Sequence, residues 1–238
     1  MNVRILLIFF AGLAALVAVL WLNTGSEGEP SWFIDATSPK VIGGYGDNLA
    51  YTGQNVRPVE GALELRLNAT RQMGKITVSL QTSEESGPLH VSAEESFDGE
   101  ITLVSQIDSS STVNEEVFIH GDTGLGGPEL PRTYATVAGR SRFDVFVDGA
   151  LVHEDLFGEW ALIQALRKSD GAIRKSGLIY SPLLRDKRGF ADVEQNEFLV
   201  FLHSGVEDSE NLPPYEVALH VVFTDVTIEI GPLKELGT

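Results

Sequence analysis

The sequence contains no cysteine. Disulfide bonds, thiolate metal sites, cysteine nucleophiles and lipid attachment at cysteine are therefore excluded. A chain of 238 residues can bury a core large enough to be stable without disulfides. The absence of cysteine is thus compatible with an exported protein, and it restricts any metal site to histidine, carboxylate and carbonyl ligands.

Basic residues are scarce. The chain has 17 lysines and arginines against 34 aspartates and glutamates, a net charge of −17. Such a surface repels nucleic-acid phosphates and anionic lipid headgroups, so we expect no nucleic-acid partner. The charge is compatible with a cationic partner or with calcium, and solubility alone is the simplest explanation of it.

Motifs for catalysis and for cofactor binding are also missing. The sequence contains no G-x-S-x-G, no H-E-x-x-H and no phosphate-binding loop ending in Gly-Lys-Ser/Thr. Carboxylates are so numerous that no acid/base pair can be nominated, and the catalytic residues, if any, are unknown. No cofactor is required by the sequence, which favours a non-enzymatic protein.

A long apolar run lies at the N-terminus. Residues 5–22 form 18 consecutive apolar residues, and a helix of that length spans about 27 Å, close to the thickness of the hydrocarbon core of a bilayer. Arg4 precedes the run, and no A-x-A cleavage site follows it. Residues 1–22 are therefore interpreted as an uncleaved transmembrane anchor, with a cleaved signal peptide as the alternative. The domain is expected outside the cytoplasm, in the periplasm or at the cell surface, or secreted if the leader is cleaved.

The remainder divides by composition into a tether and a domain. Residues 23–59 contain three prolines, a glycine-rich turn and few apolar runs, which is typical of a linker. From residue 60 onwards the hydrophobic period becomes two, as Leu63, Leu65 and Leu67 illustrate. Short alternating segments separated by turns continue to the C-terminus. We therefore predict that residues 60–238 form a mostly β domain, an antiparallel β-sandwich of immunoglobulin-like or jelly-roll-like type.

Three local predictions are more specific. Asp148-Gly149, between two apolar segments, predicts a two-residue type I′ hairpin that pairs Val147 with Ala150 and places Asp144 opposite His153. Residues 159–168 have a wide apolar face and suitably charged ends, which predicts one short helix. Residues 198–203 and 217–223 are apolar on both faces, which is typical of central strands.

Four histidines on predicted strands or strand ends are candidate ligands of copper or zinc: His120, His153, His203 and His220. Two histidines with a carboxylate can bind either metal without cysteine. Their spacing matches no known motif, and ordinary strand histidines are the alternative interpretation.

Two loops are candidate binding sites for a ligand or a partner. The glycine-rich residues 121–131 include Asp122 and Glu129, and the basic residues 184–190 include Arg185, Asp186 and Arg188. The acidic stretches 94–100 and 207–210 offer oxygen ligands for calcium, although neither has EF-hand spacing. Connecting loops and solvated charges are the simpler interpretation of all four.

The sequence therefore favours a membrane-tethered, extracytoplasmic β-sandwich that acts as a non-enzymatic binding or accessory module. Its expected partners are the membrane, through residues 5–22, and another protein. The first alternative is a periplasmic protein that binds a metal or a small ligand through the strand histidines. The second is a hydrolase with an unrecognised carboxylate pair.

Overall fold

The computed structural model describes residues 30–45, 52–53, 56–127, 129–184, 188–208 and 213–232. These residues form strands, turns and irregular segments and contain no helix, which confirms the prediction of a mostly β protein. No helix that could cross a membrane is therefore found among them. The apolar residues 5–22 lie outside the described part of the chain, so the prediction of an anchor stays a prediction.

Fourteen strands are present in the described residues. Their bounds are β1 Pro30–Gly44, β2 Arg57–Pro58, β3 Glu60–Asn68, β4 Met73–Gln81, β5 Leu89–His90, β6 Ser96–Phe97, β7 Glu100–Ile107, β8 Thr112–Ile119, β9 Thr133–Val147, β10 Ala150–Ala165, β11 Arg174–Lys175, β12 Leu178–Ile179, β13 Asp192–His203 and β14 Ala218–Pro232.

One large antiparallel sheet holds ten of these strands, in the order β10-β13-β14-β1-β3-β4-β7-β9-β8, with β2 beside β1. Strand β10 also pairs with β9, so the hydrogen-bonded order returns to its starting strand and the sheet closes on itself. The pairs β5–β6 and β11–β12 form two separate two-stranded sheets. A two-layer sandwich is not confirmed.

The inner face of the closed sheet carries the main apolar core. Alternate residues of each strand point inwards, and they are almost entirely Leu, Ile, Val and Phe. In β3 these are Leu63, Leu65 and Leu67, the alternation that the sequence predicts for a half-buried strand. Strands β13 and β14 contribute both of their faces, since each is buried inside and outside over most of the pairing between them. The prediction that they are central strands is confirmed.

A second apolar cluster lies on the outer face of β9, β10, β13 and β14. It contains Ala138, Ala161, Leu199 and Val222 from these strands. Residues from two connecting segments pack on it, the loop 120–132 and the long connection 166–191. These segments cover the strands from outside, so that part of the sheet is buried on both faces.

The predicted helix at residues 159–168 is wrong. Residues up to Ala165 belong to strand β10, and Arg167 forms an isolated bridge with Ile173. Trp160 points into the inner core and Ala161 into the outer cluster, so both faces of the strand are apolar. A strand buried on both faces has a continuous apolar run, which resembles the wide apolar face of a buried helix.

The hairpin at Asp148-Gly149 is confirmed. Both residues have positive φ, 50° and 77°, as a type I′ turn requires, and Ala150 faces Val147. The register then shifts between Leu151 and His153, so that His153 faces Val145. The predicted pairing of Asp144 with His153 is therefore wrong. His153 Nε2 lies 2.7 Å from Glu95 Oε2 instead.

Part of the predicted tether belongs to the sheet. Pro30–Gly44 is strand β1, which pairs with β14 on one edge and with β3 on the other. Its Ile34 and Ala36 are buried in the inner core. The prolines of this segment suggested a linker. Pro30 is the first residue of the strand, and Pro39 lies between the part paired with β3, which ends at Thr37, and the part paired with β2, which begins at Lys40.

Candidate functional site

The candidate site lies on the outer face of the sheet, where the pairing register aligns side chains into rows. Across β9, β10, β13 and β14, Arg140 faces Glu159, Glu159 faces Phe201, and Phe201 faces His220. We call these four residues the central row. The row on one side of it is the apolar set Ala138, Ala161, Leu199 and Val222, and the row on the other side is Arg142, Phe157, His203 and Ala218.

A cavity of about 360 Å³ lies over the central row. We call it the histidine cavity. Its lining includes all four residues of the central row and Leu199 from the neighbouring apolar row. Two connecting segments complete the lining: the loop residues His120, Gly126, Gly127, Glu129 and Leu130, and the segment Pro213, Pro214 and Tyr215. The cavity is thus formed by the sheet and by two connections that pass over it.

The loop 120–132 brings His120 over the sheet. His120 follows β8 and has a positive φ of 63°, which turns the chain out of the strand direction. The turn is fixed by hydrogen bonds from its N–H to the carbonyl of Leu125 (2.6 Å) and from the Gly121 N–H to the carbonyl of Leu130 (3.1 Å). The Thr123 hydroxyl donates to the carbonyl of His120 at 2.9 Å.

Gly126 lets the loop approach the imidazole closely. A Cβ built on Gly126 would lie 2.6 Å from His120 Nδ1, and Gly126 has a φ of +72°. Both the space and the backbone conformation therefore require glycine here. Gly126, one of the glycines that mark this loop in the sequence, thus allows the chain to pack against His120.

The sheet itself positions His220. It lies in β14 with Phe201 on one neighbouring strand and Gly43 on the other. The Phe201 ring lies 5.4 Å from the imidazole between centroids, at 59°. His220 is only 5% exposed and His120 only 6%.

The two imidazoles share an unusual property. Among the described residues, none forms a hydrogen bond with either ring nitrogen of His120 or of His220, although all four nitrogens are buried. A buried polar group without a partner costs about 1–3 kcal/mol, and native proteins contain few of them. His120 and His220 are thus two buried histidines beside one cavity whose hydrogen-bonding capacity is unused within the described part of the chain.

Burial keeps both histidines neutral. It lowers the pKa of His120 to about 4. The Gly127 backbone lies near enough to oppose this in part, without reaching hydrogen-bond geometry. Burial also lowers the pKa of His220 well below its ordinary value, helped by the nearby Arg167 and His120. At neutral pH each ring therefore offers one N–H donor and one nitrogen acceptor.

Charged groups contribute to the lining of the cavity. Arg140 Nη2 and Glu159 Oε1 lie 2.9 Å apart in a cross-strand ion pair. Glu129 adds a second carboxylate to the lining. Burial raises the pKa of Tyr215, and the charges of Glu159 and Glu207 raise it further, so its hydroxyl remains a donor at neutral pH.

Two further cavities adjoin the first one. One of about 230 Å³ extends along β8 and β9, and one of about 440 Å³ lies over Phe157 and His203. Both include Arg140 and Glu159 in their lining, as the histidine cavity does. The Arg140–Glu159 ion pair therefore lies where the three cavities meet, on the outer face of the sheet.

Only part of the predicted histidine set comes together. His120 and His220 line the same cavity, with Glu129 from the predicted glycine-rich loop. His203 lies in the adjacent row, stacked on Tyr215 at 4.0 Å between centroids. The remaining member, His153, is paired with Glu95 and packs against Phe97, away from the histidine cavity.

The other predicted ligand residues are scattered. Asp122 is exposed and is not part of the cavity lining. Arg188 is exposed, and Arg185 and Asp186 lie outside the described residues. Of the acidic stretches proposed for calcium, residues 94–100 supply the Glu95 partner of His153, and only the first two residues of 207–210 are described. No group of three or more metal-ligating side chains occurs in the described ranges.

The sequence alone does not identify Arg140, Glu159, Phe201 and Tyr215 as site residues. Three of them are united by the strand register, which pairs residues far apart in the chain. The predicted helix at residues 159–168 obscures the fact that Glu159 and Trp160 point to opposite faces of a strand. The charge of Arg140 and Glu159 does not mark them either, because β9 and β10 contain other charged residues.

Comparisons with known proteins do not identify this chain. No family model, no curated protein and no solved structure matches it.

Proposed function

We propose that this protein is a non-enzymatic binding module, tethered to a membrane by residues 5–22 with its domain outside the cytoplasm, and that it binds a small neutral or cationic organic molecule in the histidine cavity. The observation that carries the proposal is the convergence of His120 and His220. Both residues line one cavity of about 360 Å³, and their ring nitrogens are buried without a hydrogen-bond partner among the described residues. The cavity is within the size range of small-molecule sites.

The character of the lining favours a polar organic ligand. Leu130, Leu199 and Phe201 supply apolar walls, and the two neutral imidazoles and the Tyr215 hydroxyl supply hydrogen-bonding groups. A few convergent polar groups in an otherwise apolar pocket are typical of such sites. A ligand that both donates and accepts hydrogen bonds suits two neutral imidazoles, each of which has one donor and one acceptor nitrogen.

The charges of the lining favour a neutral or positive ligand over an anion. Arg140 is the basic residue of the lining, and it is paired with Glu159. Glu129 lines the same cavity, and Glu207 acts on Tyr215. The local excess of carboxylates agrees with the net charge of −17, and aromatic faces such as that of Phe201 attract cations.

A resident metal ion is supported less well. Metal-ligating histidines usually donate their second N–H to a carboxylate or carbonyl, and neither His120 nor His220 makes such a bond within the described residues. A two-histidine site would also need a third ligand, and the described residues contain no suitable group of three. Copper and zinc therefore serve as comparison probes in the test.

The test is a binding screen on the full chain in detergent micelles. Choline and spermidine are the cationic probes, glucose is neutral, citrate is anionic, and Cu²⁺ and Zn²⁺ are the metals. We expect a cationic or neutral probe to raise the thermal unfolding temperature and to give a saturable calorimetric signal. Glu129→Gln should weaken cation binding, and His220→Leu should abolish binding.

His90→Leu is the matched control, because His90 is exposed and bonds to Ser96 outside the cavity. It should bind as the parent protein does. If every probe leaves the unfolding temperature unchanged, or if His220→Leu binds like the parent, the proposal of a ligand cavity is wrong. Saturable binding of Cu²⁺ or Zn²⁺ alone, lost in His220→Leu, would replace it with the metal-binding alternative.

A second candidate function, hydrolysis, is favoured by one observation. Glu129 and Glu159 line the same cavity, and paired carboxylates are the usual acid/base groups of glycoside hydrolysis. The ion pair with Arg140 argues against it, because it engages one of the two carboxylates. Release of nitrophenol from nitrophenyl glycosides, lost in Glu129→Gln, would support hydrolysis over simple binding.

A further inference from the structure

A short hairpin projects from the connection that covers the outer face. Strands β11 and β12 are joined by Ser176 and Gly177, which have φ values of 50° and 81°, as in a type I′ turn. At its base Ile173 and Tyr180 are buried in the outer cluster. The Tyr180 N–H donates to the carbonyl of Ile173 at 2.8 Å, and its hydroxyl donates to the carbonyl of Glu129 at 2.5 Å. The hairpin is therefore firmly anchored.

The tip of this hairpin is apolar and exposed. Leu178 is 54% exposed and Ile179 is 45% exposed. Consecutive residues of a strand point to opposite faces, so exposure of both means that neither face of the tip is covered by the rest of the molecule. Leu183, just beyond the hairpin, is 93% exposed. We call Leu178, Ile179 and Leu183 the apolar tip.

The connection that carries the apolar tip is rich in basic residues. Residues 166–191 carry seven of the 17 basic residues of the chain and only two of its 34 acidic residues, three of these nine lying outside the described part. Of the described basic residues, Arg167 is buried, Lys168 is paired with Asp192 and Arg174 with Asp170. Lys175 and Arg188 are exposed. A Cβ built on Gly189 would lie 2.5 Å from Lys175 Nζ, so the Lys175 ammonium lies beside the Arg188–Gly189 backbone. Basic residues thus outnumber acidic ones in residues 166–191, whereas acidic residues are in excess in the chain as a whole.

Apolar side chains beside basic ones are the combination that binds anionic membrane surfaces. Exposed leucine and isoleucine enter the headgroup region, and lysine and arginine attract anionic lipid headgroups. Each signal alone gives weak binding, and the two together give stable association. An acidic protein partner could bind the basic residues, but its binding would not explain why Leu183 is 93% exposed.

We infer that the apolar tip, with Lys175 and Arg188, docks the domain on the anionic surface of a phospholipid membrane. This inference rests on the proposed tether only because the tether would keep the domain near a membrane. Seven residues separate the predicted span, which ends at residue 22, from β1, which begins at Pro30. They reach at most about 25 Å when extended, so a tethered domain would stay close to the bilayer.

A second hairpin provides a matched control. The β9–β10 hairpin also exposes two adjacent apolar residues, Leu151 at 50% and Val152. Its neighbours Asp148, Glu154 and Asp155 are acidic. It therefore has the apolar signal without the basic one, and we expect it to stay in water.

The absence of cysteine makes the experiment specific, since a single introduced cysteine is the only thiol. The full chain carrying Leu178→Cys, Leu183→Cys or Leu151→Cys is labelled with an environment-sensitive dye and reconstituted into vesicles. One set is phosphatidylcholine alone, and the other also contains phosphatidylglycerol. We expect a blue shift of emission at Leu178 and Leu183 only with phosphatidylglycerol, its loss at high salt, and no shift at Leu151.

Lys175→Glu in the Leu178→Cys chain should reduce the shift, and unchanged thermal unfolding of each variant shows that it is folded. Equal emission at Leu178 in both kinds of vesicle, or an equal shift at Leu151, would overturn the inference. Flotation tests the tether separately. A chain that fails to float with phosphatidylcholine vesicles contradicts the tether, whereas flotation that depends on phosphatidylglycerol still supports docking.

Discussion

The two faces of the closed sheet treat buried polar groups differently. On the inner face, Ser105 Oγ donates to Ser141 Oγ at 2.7 Å, and Trp160 Nε1 donates to the same oxygen at 3.1 Å. On the outer face, His120 and His220 are buried without such partners among the described residues. These buried polar groups of the inner face are thus satisfied within the structure. The outer face carries a cost in free energy that a bound ligand would offset.

The largest expected effect is the loss of inner packing. Phe198 is fully buried and stacks on Trp160 at 6.4 Å between centroids. Phe198→Ala should lower the free energy of unfolding by about 3–5 kcal/mol, because it removes a buried ring and leaves a cavity. Denaturant unfolding measures this loss. Phe201→Ala, on the opposite face of the same strand and only half-buried, should cost less, and equal losses would contradict the distinction between the faces.

Acid should destabilise the outer face through His120. Its pKa is lowered to about 4 from an ordinary value of 6.5, so between these values the unfolded chain binds more protons than the folded one. Stability is then complete above pH 6.5 and falls as the pH drops towards 4, by on the order of 3 kcal/mol. The measurement is denaturant unfolding at pH 7 and pH 4. His120→Leu should show a smaller loss than the parent, and an identical loss would refute the assignment.

Replacing an unpartnered histidine should increase stability. His220→Leu removes two buried nitrogens that make no hydrogen bond, and we expect the free energy of unfolding to rise by about 1–3 kcal/mol. The same variant should lose ligand binding. Chemical denaturation and calorimetry on one preparation measure both. A variant that is less stable than the parent would show that His220 serves the structure rather than a ligand.

The smallest effect concerns the contact between the hairpin base and the loop. Tyr180→Phe removes the hydrogen bond from its hydroxyl to the carbonyl of Glu129 and should cost about 1 kcal/mol of stability. Because that bond fixes the residue that carries a cavity carboxylate, affinity for a cationic probe should also fall. Unchanged affinity would mean that the Glu129 carboxylate is positioned independently of the hairpin.

The sequence predicts what is local in this fold. The alternation in β3 and the Asp148-Gly149 turn each involve neighbouring residues, and both predictions are confirmed. The short helix was wrong because burial on both sides of β10 depends on segments that are remote in the chain. The hydrophobic period and the secondary-structure propensity of a segment contain no information about which distant segments will cover it.

The candidate site is predictable only in part for the same reason. His120, His220 and Glu129 were candidates by residue type, but the sequence did not separate the first two from His153. Their proximity depends on the register of four strands and on the loop that places His120 over β14. A bulge between Leu151 and His153 was enough to give His153 a different partner.

The pairing of β1 with β14 has a consequence for biosynthesis. Pro30 faces Pro232, and the two strands stay paired as far as Gly44 and Leu219. The ribosome therefore completes the first strand long before it makes the strand's partner, and the ring of hydrogen bonds cannot close until β14 has emerged. Contacts between such distant residues slow folding. A chain released before Ala218 would lack β14, and the edges of β1 and β13 that pair with it would stay unpaired. Unpaired strand edges are sites of aggregation.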